Sequence, residues 1–255
     1  MRNYNLSFID DADLFNHVKE IIEKYRFRIT LKEFNKNIVD PIKLTFDKKV
    51  YRKTTKEIIN LEIIRQFDKS NNNNIGYFHQ NIFKYIRQKG SNEAKWIVPD
   101  KGFDVVNKID KVFVEMKNKH NTMNSSSSQK TYMRMQSQII TDKESKCFLV
   151  EVIAGKTQNI NWVISLDGNK TSHPNIRKVS IDKFYEIVTN IKDSFKQLIE
   201  ILPIVIDDVI RNSPKDIIEN KVFEELEVRD QNILKSLYLL SFQEYEGFDD
   251  FDIQL

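Results

Sequence analysis

The sequence predicts an α/β protein in which a mixed β-sheet is flanked by helices, with helical regions on both sides of this core. Three observations support this fold class: helical periodicity in the first third of the chain, strand patterns in the middle, and helical periodicity again towards the end. With 255 residues, 40% of them hydrophobic, the chain can bury such a core. We expect an N-terminal helical region (1–74), a core (75–200) and a C-terminal helical region (201–255), packed as one compact unit.

Two amphipathic patterns define the N-terminal helical region. The segment DDADLFNHVKEIIEKY, residues 10–25, begins with acidic residues that suit a helix N-terminus and carries its apolar residues on one face. The segment TTKEIINLEIIRQF predicts a second helix with Ile58, Leu61 and Ile64 as its buried stripe. The polar run DKSNNNN that follows predicts a loop at residues 68–74.

The predicted core begins with a short helix, IGYFHQNIFKYIRQKG, which Gly90 ends. Strand patterns follow in KWIVP, GFDVV and KVFVEMKNK, and a turn near residues 107–110 joins the last two into a hairpin. The run SSSSQKTYMRMQSQIITD then predicts a helix, with Ser125 or Ser126 as its N-cap. Tyr132 is expected on its apolar side, together with Met135 and Ile139.

Two apolar strands and a final group of helices complete the predicted order. KCFLVEVIAG and INWVISL read as strands buried on both faces. Glu151 of the first is either a third acidic group near the candidate site or a residue that faces an edge, and the edge is preferred. From SIDKFYEIVTN onward the periodicity is helical, and Pro203 is expected to kink or end one helix.

Charged side chains interrupt the strands of the predicted hairpin, where a fold prefers apolar residues. Asp104 lies in GFDVV, and the alternation of side chains in VFVEMK puts Glu115 and Lys117 on one face of their strand. A turn near residues 107–110 brings Asp104 back beside Glu115 if the side-chain registers agree. Two neighbouring carboxylates stay ionised readily only when a cation lies close to them, so this pair indicates a cation site.

Oxygen ligands of this kind suit Mg²⁺, which often takes only one or two carboxylates and keeps several waters. An aspartate followed by Glu-x-Lys is therefore a minimal set for metal-assisted phosphodiester cleavage. The alternative is a solvated Glu–Lys ion pair on a strand face, worth at most ~1 kcal/mol. The capped helix and two buried strands after the hairpin favour the site, because they predict that one face is covered.

The hairpin and its flank, GFDVV followed by VFVEMKNKHNTMNSSSSQKTY, resemble the PD-(D/E)xK type II restriction endonucleases that cut GGNCC. IGYFHQNIF upstream and CFLVEVIAGKTQNINWVIS downstream are similar to that family too, so the resemblance spans residues 75–165. EMKNKHNTMNSSS is its most specific part. The resemblance implies a restriction-endonuclease-like core and a Mg²⁺-dependent endonuclease that acts on double-stranded DNA and leaves 5′-phosphates.

By position, the resemblance implies that Asp104 is the motif aspartate, Glu115 the second acidic ligand and Lys117 the lysine of the motif. Asp104, Glu115 and the carbonyl of Met116 would then hold the metal. The literal PD dipeptide ends at Asp100, which is the reserve candidate for the aspartate.

In this superfamily, a residue on the helix before the hairpin often completes the metal site. Gln80 is the candidate here, acting through water because an amide is a weaker Mg²⁺ ligand than a carboxylate, and His79 is its reserve. The alternative for Gln80 is an amide on the helix surface. A histidine-metal nuclease is disfavoured, since His79 and His120 lie on different predicted elements.

DNA contacts are expected just after the catalytic strand. The candidates are Lys119, His120, Asn121 and Asn124, which are residue types that contact phosphates and base edges. A two-fold-symmetric site such as GGNCC suits a homodimer in which each subunit reads one half-site, with a cognate DNA methyltransferase as genetic partner. The alternatives are a repair or junction-resolving nuclease with the same core, and a DNA-binding module that does not cleave.

Composition sets outer limits on function. A net charge of +3 is compatible with a nucleic-acid partner without requiring one. The single cysteine, Cys147, excludes an internal disulfide, and with four scattered histidines a structural zinc site is not expected. No apolar run approaches the ~20 residues of a membrane span, and no signal pattern begins the sequence. We therefore expect a cytoplasmic protein without a membrane partner.

Overall fold

The computed structural model describes residues 2–37, 39–91, 93–166, 168–212 and 221–244. The chain divides into two compact units, each assembled from stretches that are distant in sequence. A core unit combines Met1–Glu23 with Ile75–Pro214, and a helical unit combines Lys24–Asn74 with Lys215–Leu255. The regions expected from the sequence follow chain order, whereas each of these units joins two separated segments.

The described residues form helices, then a strand-rich middle, then helices again. The helices are α1 (Asp11–Lys24), α2 (Leu31–Lys36), α3 (Pro41–Val50), α4 (Thr55–Asn81), α5 (Ser125–Thr141), α6 (Ile181–Thr189), α7 (Ser194–Asn212), α8 (Val222–Arg229) and α9 (Ile233–Phe242). The strands are β1 (Val105–Asn107), β2 (Val112–Lys119), β3 (Lys146–Ile153), β4 (Asn159–Asn161), β5 (Ile164–Leu166), β6 (Asn169–Thr171) and β7 (Ile176–Ser180). This arrangement confirms the predicted α/β class.

A five-stranded mixed sheet in the order β1-β2-β3-β7-β4 forms the centre of the core unit. β1 and β2 pair antiparallel, with Val105 opposite Val114, which confirms the predicted hairpin. β2 pairs parallel with β3, β3 pairs parallel with β7, and β4 lies antiparallel to β7 at the far edge. β1 pairs with β2 only up to Val114, so the charged residues of β2 lie just beyond this pairing and have β3 as their strand neighbour.

Helix α5 covers one face of this sheet. Asn124 is its N-cap and accepts a 2.8 Å hydrogen bond from the backbone N–H of Ser127, so the expected caps at Ser125 and Ser126 are wrong by one or two positions. Tyr132 and Met135 are fully buried in the cluster that includes Cys147, Leu149 and Ile176 of the sheet, as the predicted apolar side of α5 requires. Burial of side chains of this size stabilises the fold by about 1.5–3 kcal/mol each.

An aromatic cluster occupies the opposite face. Phe148 of β3 points there, because its neighbours Cys147 and Leu149 point towards α5. Its ring lies 6.4 Å from that of Phe184 in α6, and the Phe184 ring lies 4.8 Å from Phe83, which stands in a 3₁₀ turn after α4. The sheet is thus covered on both sides, which explains the apolar runs in its parallel strands.

The prediction of a single buried strand in INWVISL is wrong. Its residues divide between β4, an exposed edge strand, and β5, which pairs with β6 in a separate two-stranded sheet. The buried parallel neighbour of β3 is instead β7, whose sequence IRKVS contains two cations. Arg177 of β7 donates hydrogen bonds to the side chains of Asn159 and Asn161, so polar partners on the edge strand satisfy the donors of its guanidinium. KWIVP contributes one isolated bridge, between Ile97 and Val106.

The predicted loop at residues 68–74 is also wrong, because α4 runs through it. Asparagine disfavours a helix interior by less than about 1 kcal/mol per residue, so a few side-chain contacts can offset its cost. Asn74 donates a 3.0 Å hydrogen bond to the carbonyl of Lys24, and Asn72 donates one of 2.9 Å to Asp68. These contacts hold the polar run in helical conformation.

The helical unit has its own hydrophobic core, drawn from both of its segments. Ile58 is buried as predicted, but Leu61 and Ile64 are exposed, because the buried face of α4 runs instead through Ile59 and Ile63. The buried residues of this core are Ile29, Phe34, Val39, Leu44, Ile58, Ile59, Ile63, Val222, Leu226, Ile233, Leu234 and Leu237.

Two further helix boundaries differ from expectation. The helix expected up to Gly90 ends earlier, at Asn81, and Gly90 stands in a turn with a φ of +80°. Helix α7 continues through Pro203 to Asn212, so this proline does not end it. Within the part of the chain that the structure describes, none of the helices combines the length and apolar character that crossing a bilayer requires.

Candidate active site

The start of the β1–β2 hairpin holds the candidate site. Asp104 stands immediately before β1, and its backbone N–H donates a 2.8 Å hydrogen bond to the carbonyl of Val114. Glu115 and Lys117 lie in the middle of β2 on the face that α5 covers, while the side chain of Met116 is buried on the other face. The hairpin therefore places all three predicted residues at one point of the sheet.

The two carboxylates share one electrostatic environment. An oxygen of Asp104, Oδ2, accepts a 2.7 Å hydrogen bond from the backbone N–H of Met116. Burial raises the pKa of Asp104 and the negative charge of Glu115 raises it further, against the opposing effects of the Met116 N–H, Lys117 and Arg134. The reserve candidate, Asp100, is instead exposed in the loop before β1.

Glu115 is bound by two cations. Its side chain is buried, with 8% of the residue exposed, and its Oε1 accepts a 2.8 Å hydrogen bond from Lys117 Nζ. Its Oε2 pairs with Nη2 of Arg134 from helix α5, nineteen residues further along the chain. Cationic side chains therefore contact both oxygens of this buried carboxylate, as a buried charge requires.

Arg134 is the site residue that the sequence analysis missed. Its Nη1 donates a 2.8 Å hydrogen bond to the carbonyl of Gly102, and the guanidinium carbon lies 4.9 Å from the centre of the Phe103 ring. These contacts hold Arg134 beside the segment that carries Asp104. The only signal in the sequence was a basic residue in the helix after the hairpin, and periodicity alone does not tell which way such a residue points.

The residues present fit a hard divalent cation. Asp104 and Glu115 offer carboxylate oxygens. The backbone of Met116, which follows Glu115, lies beside them because its N–H donates to Asp104. Among the described residues, no group of three or more His, Cys, Asp or Glu side chains could hold a metal ion. Two carboxylates with main-chain oxygen and water suit Mg²⁺, whereas sites for Zn²⁺ require more side-chain ligands.

Glu151 belongs to the same face, so the preferred expectation that it faces an edge is wrong and the alternative, an acidic group near the site, is the one that agrees with the structure. It is 3% exposed and lies in register with Lys117 on the neighbouring strand. Lys178 pairs with it at 2.9 Å, and Gln158 donates a 3.2 Å hydrogen bond to it. Lys117, Glu151 and Lys178 together line a small polar pocket, with Lys119 at its rim.

Gln80 and His79 lie in the last turn of α4. Gln80 is half-buried, and in the part of the chain that the structure describes it makes no hydrogen bond to Asp104, Glu115 or Lys117. Burial lowers the pKa of His79 to about 4, with a smaller effect of His17, so His79 is neutral at physiological pH. The role of Gln80 in the site remains a prediction.

The four candidates for DNA contact are exposed; Lys119 is the last residue of β2 and the other three follow it. His120 is bound on one side, since its Nδ1 lies 3.0 Å from the carbonyl of Ile153. Asn121 adopts a positive φ of 56°, and Asn124 uses its side-chain oxygen as the cap of α5. Lys119 lines the pocket described above. Their role in DNA binding stays a prediction.

Comparison with known proteins gives consistent matches over most of the chain. The family described as Eco47II restriction endonuclease matches residues 6–211. The type II restriction enzyme Sau96I of Staphylococcus aureus is 31% identical over 221 residues, which cover 82% of this chain and 83% of that relative. The type II restriction enzyme Eco47II of Escherichia coli is 28% identical over 217 residues, which cover 80% and 88%. All candidate site residues, from Gln80 to Arg134, lie inside the family match.

Proposed function

This chain belongs to the Eco47II family of type II restriction endonucleases, and from that premise we propose that it cuts double-stranded DNA at a GGNCC-type site with Mg²⁺ as cofactor. The observation that carries the proposal is the cluster of Asp104, Glu115 and Lys117 at the start of one hairpin. Carboxylates beside a lysine on adjoining strands supply the groups that metal-assisted phosphodiester hydrolysis needs. The GGNCC site follows from the resemblance of residues 75–165 to enzymes that cut it.

Each residue of the cluster has a task in the proposed reaction. Asp104, Glu115 and the carbonyl of Met116 would hold Mg²⁺, which when bound would polarise the phosphodiester and lower the pKa of a water. Lys117 orients the attacking water, or deprotonates it once Nζ has given up a proton of its own, and its 2.8 Å contact with Glu115 keeps Nζ beside the carboxylates. The water oxygen bonds to phosphorus in line with the 3′ oxygen, the bond between phosphorus and that oxygen breaks, and the 3′ oxygen takes a proton from solvent, so the products carry 5′-phosphates and 3′-hydroxyls.

Two further parts of the proposal concern residues around this cluster. Gln80 completes the site through a water molecule, with His79 as the reserve candidate. Lys119, His120, Asn121 and Asn124 contact the DNA, an assignment supported by their exposure at and just after the end of the catalytic strand.

The proposed assembly is a homodimer. A GGNCC site has two-fold symmetry around its central base pair, and two symmetric subunits can each read one half-site and cut one strand. A gene for a DNA methyltransferase of the same specificity is the expected genetic partner.

The test is digestion of a sequenced plasmid by the wild-type protein in Mg²⁺, with fragment ends mapped. We expect discrete bands whose ends lie at GGNCC sites and carry 5′-phosphates. Glu115→Gln should yield no bands, whereas the matched variant Glu144→Gln, which changes an exposed carboxylate paired with Lys111, should cut as the wild type does.

Other outcomes of the same digestion point elsewhere. Nicking that depends on DNA structure and not on sequence would indicate a repair or junction-resolving nuclease. DNA binding in Ca²⁺ without cleavage in Mg²⁺ would indicate a binding module, and the acidic pair would then be structural.

A further inference from the structure

Both oxygens of the Glu115 carboxylate are already bound to positive groups of the protein itself. Lys117 Nζ donates a 2.8 Å hydrogen bond to Oε1, and Arg134 Nη2 donates one to Oε2. A divalent cation that enters between Asp104 and Glu115 therefore meets two positive charges at the carboxylate it has to bind. Lys117 is accounted for by the Glu-x-Lys motif, but nothing in the proposed reaction uses Arg134.

Arg134 is held by two contacts besides Glu115, but its side chain is not fully buried. It contacts the carbonyl of Gly102 and the ring of Phe103, while 38% of its side chain remains exposed to solvent. Its Nε is buried without a hydrogen-bond partner, so the guanidinium does not use all of its donors in this arrangement. An unsatisfied buried donor carries a free-energy cost, which movement towards another acceptor would remove.

We infer that Arg134 is a positioning residue that binds Glu115 in the metal-free enzyme and moves to a DNA phosphate when substrate binds, which couples metal binding to DNA binding. This inference rests on the proposed function, because it takes Asp104 and Glu115 as the metal ligands. A guanidinium matches a phosphate with two parallel hydrogen bonds, so the DNA backbone is a suitable competing partner. Without DNA, the charge of Arg134 lowers the affinity of the site for the metal ion. With DNA bound, Arg134 has moved to a phosphate and the affinity rises.

The experiment measures the affinity of the protein for Ca²⁺ by isothermal titration calorimetry, with and without a GGNCC duplex whose integrity is checked on a gel. Arg134→Met removes the charge and keeps similar length. In the absence of DNA we expect it to bind Ca²⁺ about tenfold more tightly than the wild type, the order of the repulsion between a unit charge and a divalent ion at about 5 Å in water-like surroundings. The factor by which DNA tightens Ca²⁺ binding should shrink accordingly.

Coupling is reciprocal, so a second measurement checks the first. The factor by which Ca²⁺ tightens DNA binding, measured by fluorescence anisotropy, should equal the factor by which DNA tightens Ca²⁺ binding, and Arg134→Met should reduce both. Arg134→Lys keeps the charge and should keep Ca²⁺ binding weak in the absence of DNA. Arg134→Gln is a second neutral variant if methionine does not fold at this position.

Control variants distinguish an error in the proposed metal site from an error in the role of Arg134. Arg87→Met removes the same charge from a residue paired with Asp10 and Asp13, and it should leave both Ca²⁺ affinities unchanged. Asp104→Asn should abolish Ca²⁺ binding; if it does not, the proposed metal site is wrong. If Asp104→Asn abolishes binding but Arg134→Met binds Ca²⁺ equally or less tightly without DNA, Arg134 only supports Glu115 and this inference is refuted.

Discussion

Replacing Asp104 with asparagine is expected to stop cleavage and, in a metal-free buffer, to raise the thermal stability of the protein at pH 7. The side chain keeps nearly the same shape, and its oxygen can still accept the hydrogen bond from the Met116 N–H. What disappears is a negative charge that is partly buried beside Glu115. Because burial and Glu115 outweigh the favourable contacts and raise the pKa of Asp104, ionisation of this residue opposes folding.

The pH dependence follows from the direction of this shift. A carboxyl whose pKa is higher in the folded state favours folding while it is protonated, and this contribution is lost as the pH rises through the folded pKa. Wild type and Asp104→Asn should therefore melt alike at acidic pH and diverge towards neutral pH. Two like charges about 5 Å apart repel by about 1 kcal/mol in water-like surroundings, which in a chain of this size corresponds to about 2–4 °C in Tm.

Thermal melts followed by circular dichroism, in chelator and then in Mg²⁺, measure this effect. In Mg²⁺ the order should reverse, because only the wild type gains stability from binding the ion. Asp100→Asn, the same chemical change in an exposed loop, should alter neither the Tm nor cleavage. A lower Tm for Asp104→Asn in chelator would show that Lys117 and Arg134 stabilise the charge, and loss of cleavage only in Asp100→Asn would move the motif aspartate there.

Four further predictions can be checked with standard assays. Glu115→Gln should lower the cleavage rate by about 10³-fold or more while DNA binding persists, and unchanged turnover would remove Glu115 from the site. Lys117→Ala should lose about 10²-fold or more in single-turnover rate with little change in Kd, whereas an affinity defect alone would reassign it to binding. Met135→Ala should reduce the free energy of unfolding by about 2–5 kcal/mol in denaturant titrations, because it leaves a cavity at a fully buried position under the sheet. A smaller loss would mean that neighbouring side chains move in to fill this cavity. DNA affinity should fall with salt, by about 0.9 in the slope of log K against log salt concentration per phosphate contact, and a flat response would count against a DNA substrate.

The part of the site that the sequence predicted depends on local geometry. Alternation within β2 fixes the common face of Glu115 and Lys117, and a short turn fixes the return of Asp104, so a few neighbouring residues determine all three positions. Arg134 reaches the same carboxylate from a helix, and its position depends on how α5 packs against the sheet. Such packing is a property of the whole fold, which local patterns do not specify.

The same distinction explains the errors in the fold. β7 was missed because Arg177 and Lys178 give it a polar sequence, and their partners, Asn159, Asn161 and Glu151, come from other strands. The loop at residues 68–74 was predicted from asparagine content, while contacts such as that of Asn74 with the Lys24 carbonyl stabilise the helix there. In both places tertiary partners outweigh a local preference of about 1 kcal/mol or less per residue.

The helical unit draws its hydrophobic core from Lys24–Asn74 and from helices α8 and α9 near the other end of the chain. Chains are synthesised from the N-terminus, so Phe34 and Ile59 leave the ribosome long before Leu234 and Leu237, which share their core. During that interval the first half of the unit exposes apolar surface that only the last half can cover. Folding of this nuclease is therefore complete only when α8 and α9 pack onto the first half of the helical unit. A chain truncated after α7 would leave that apolar surface exposed to aggregation and proteolysis.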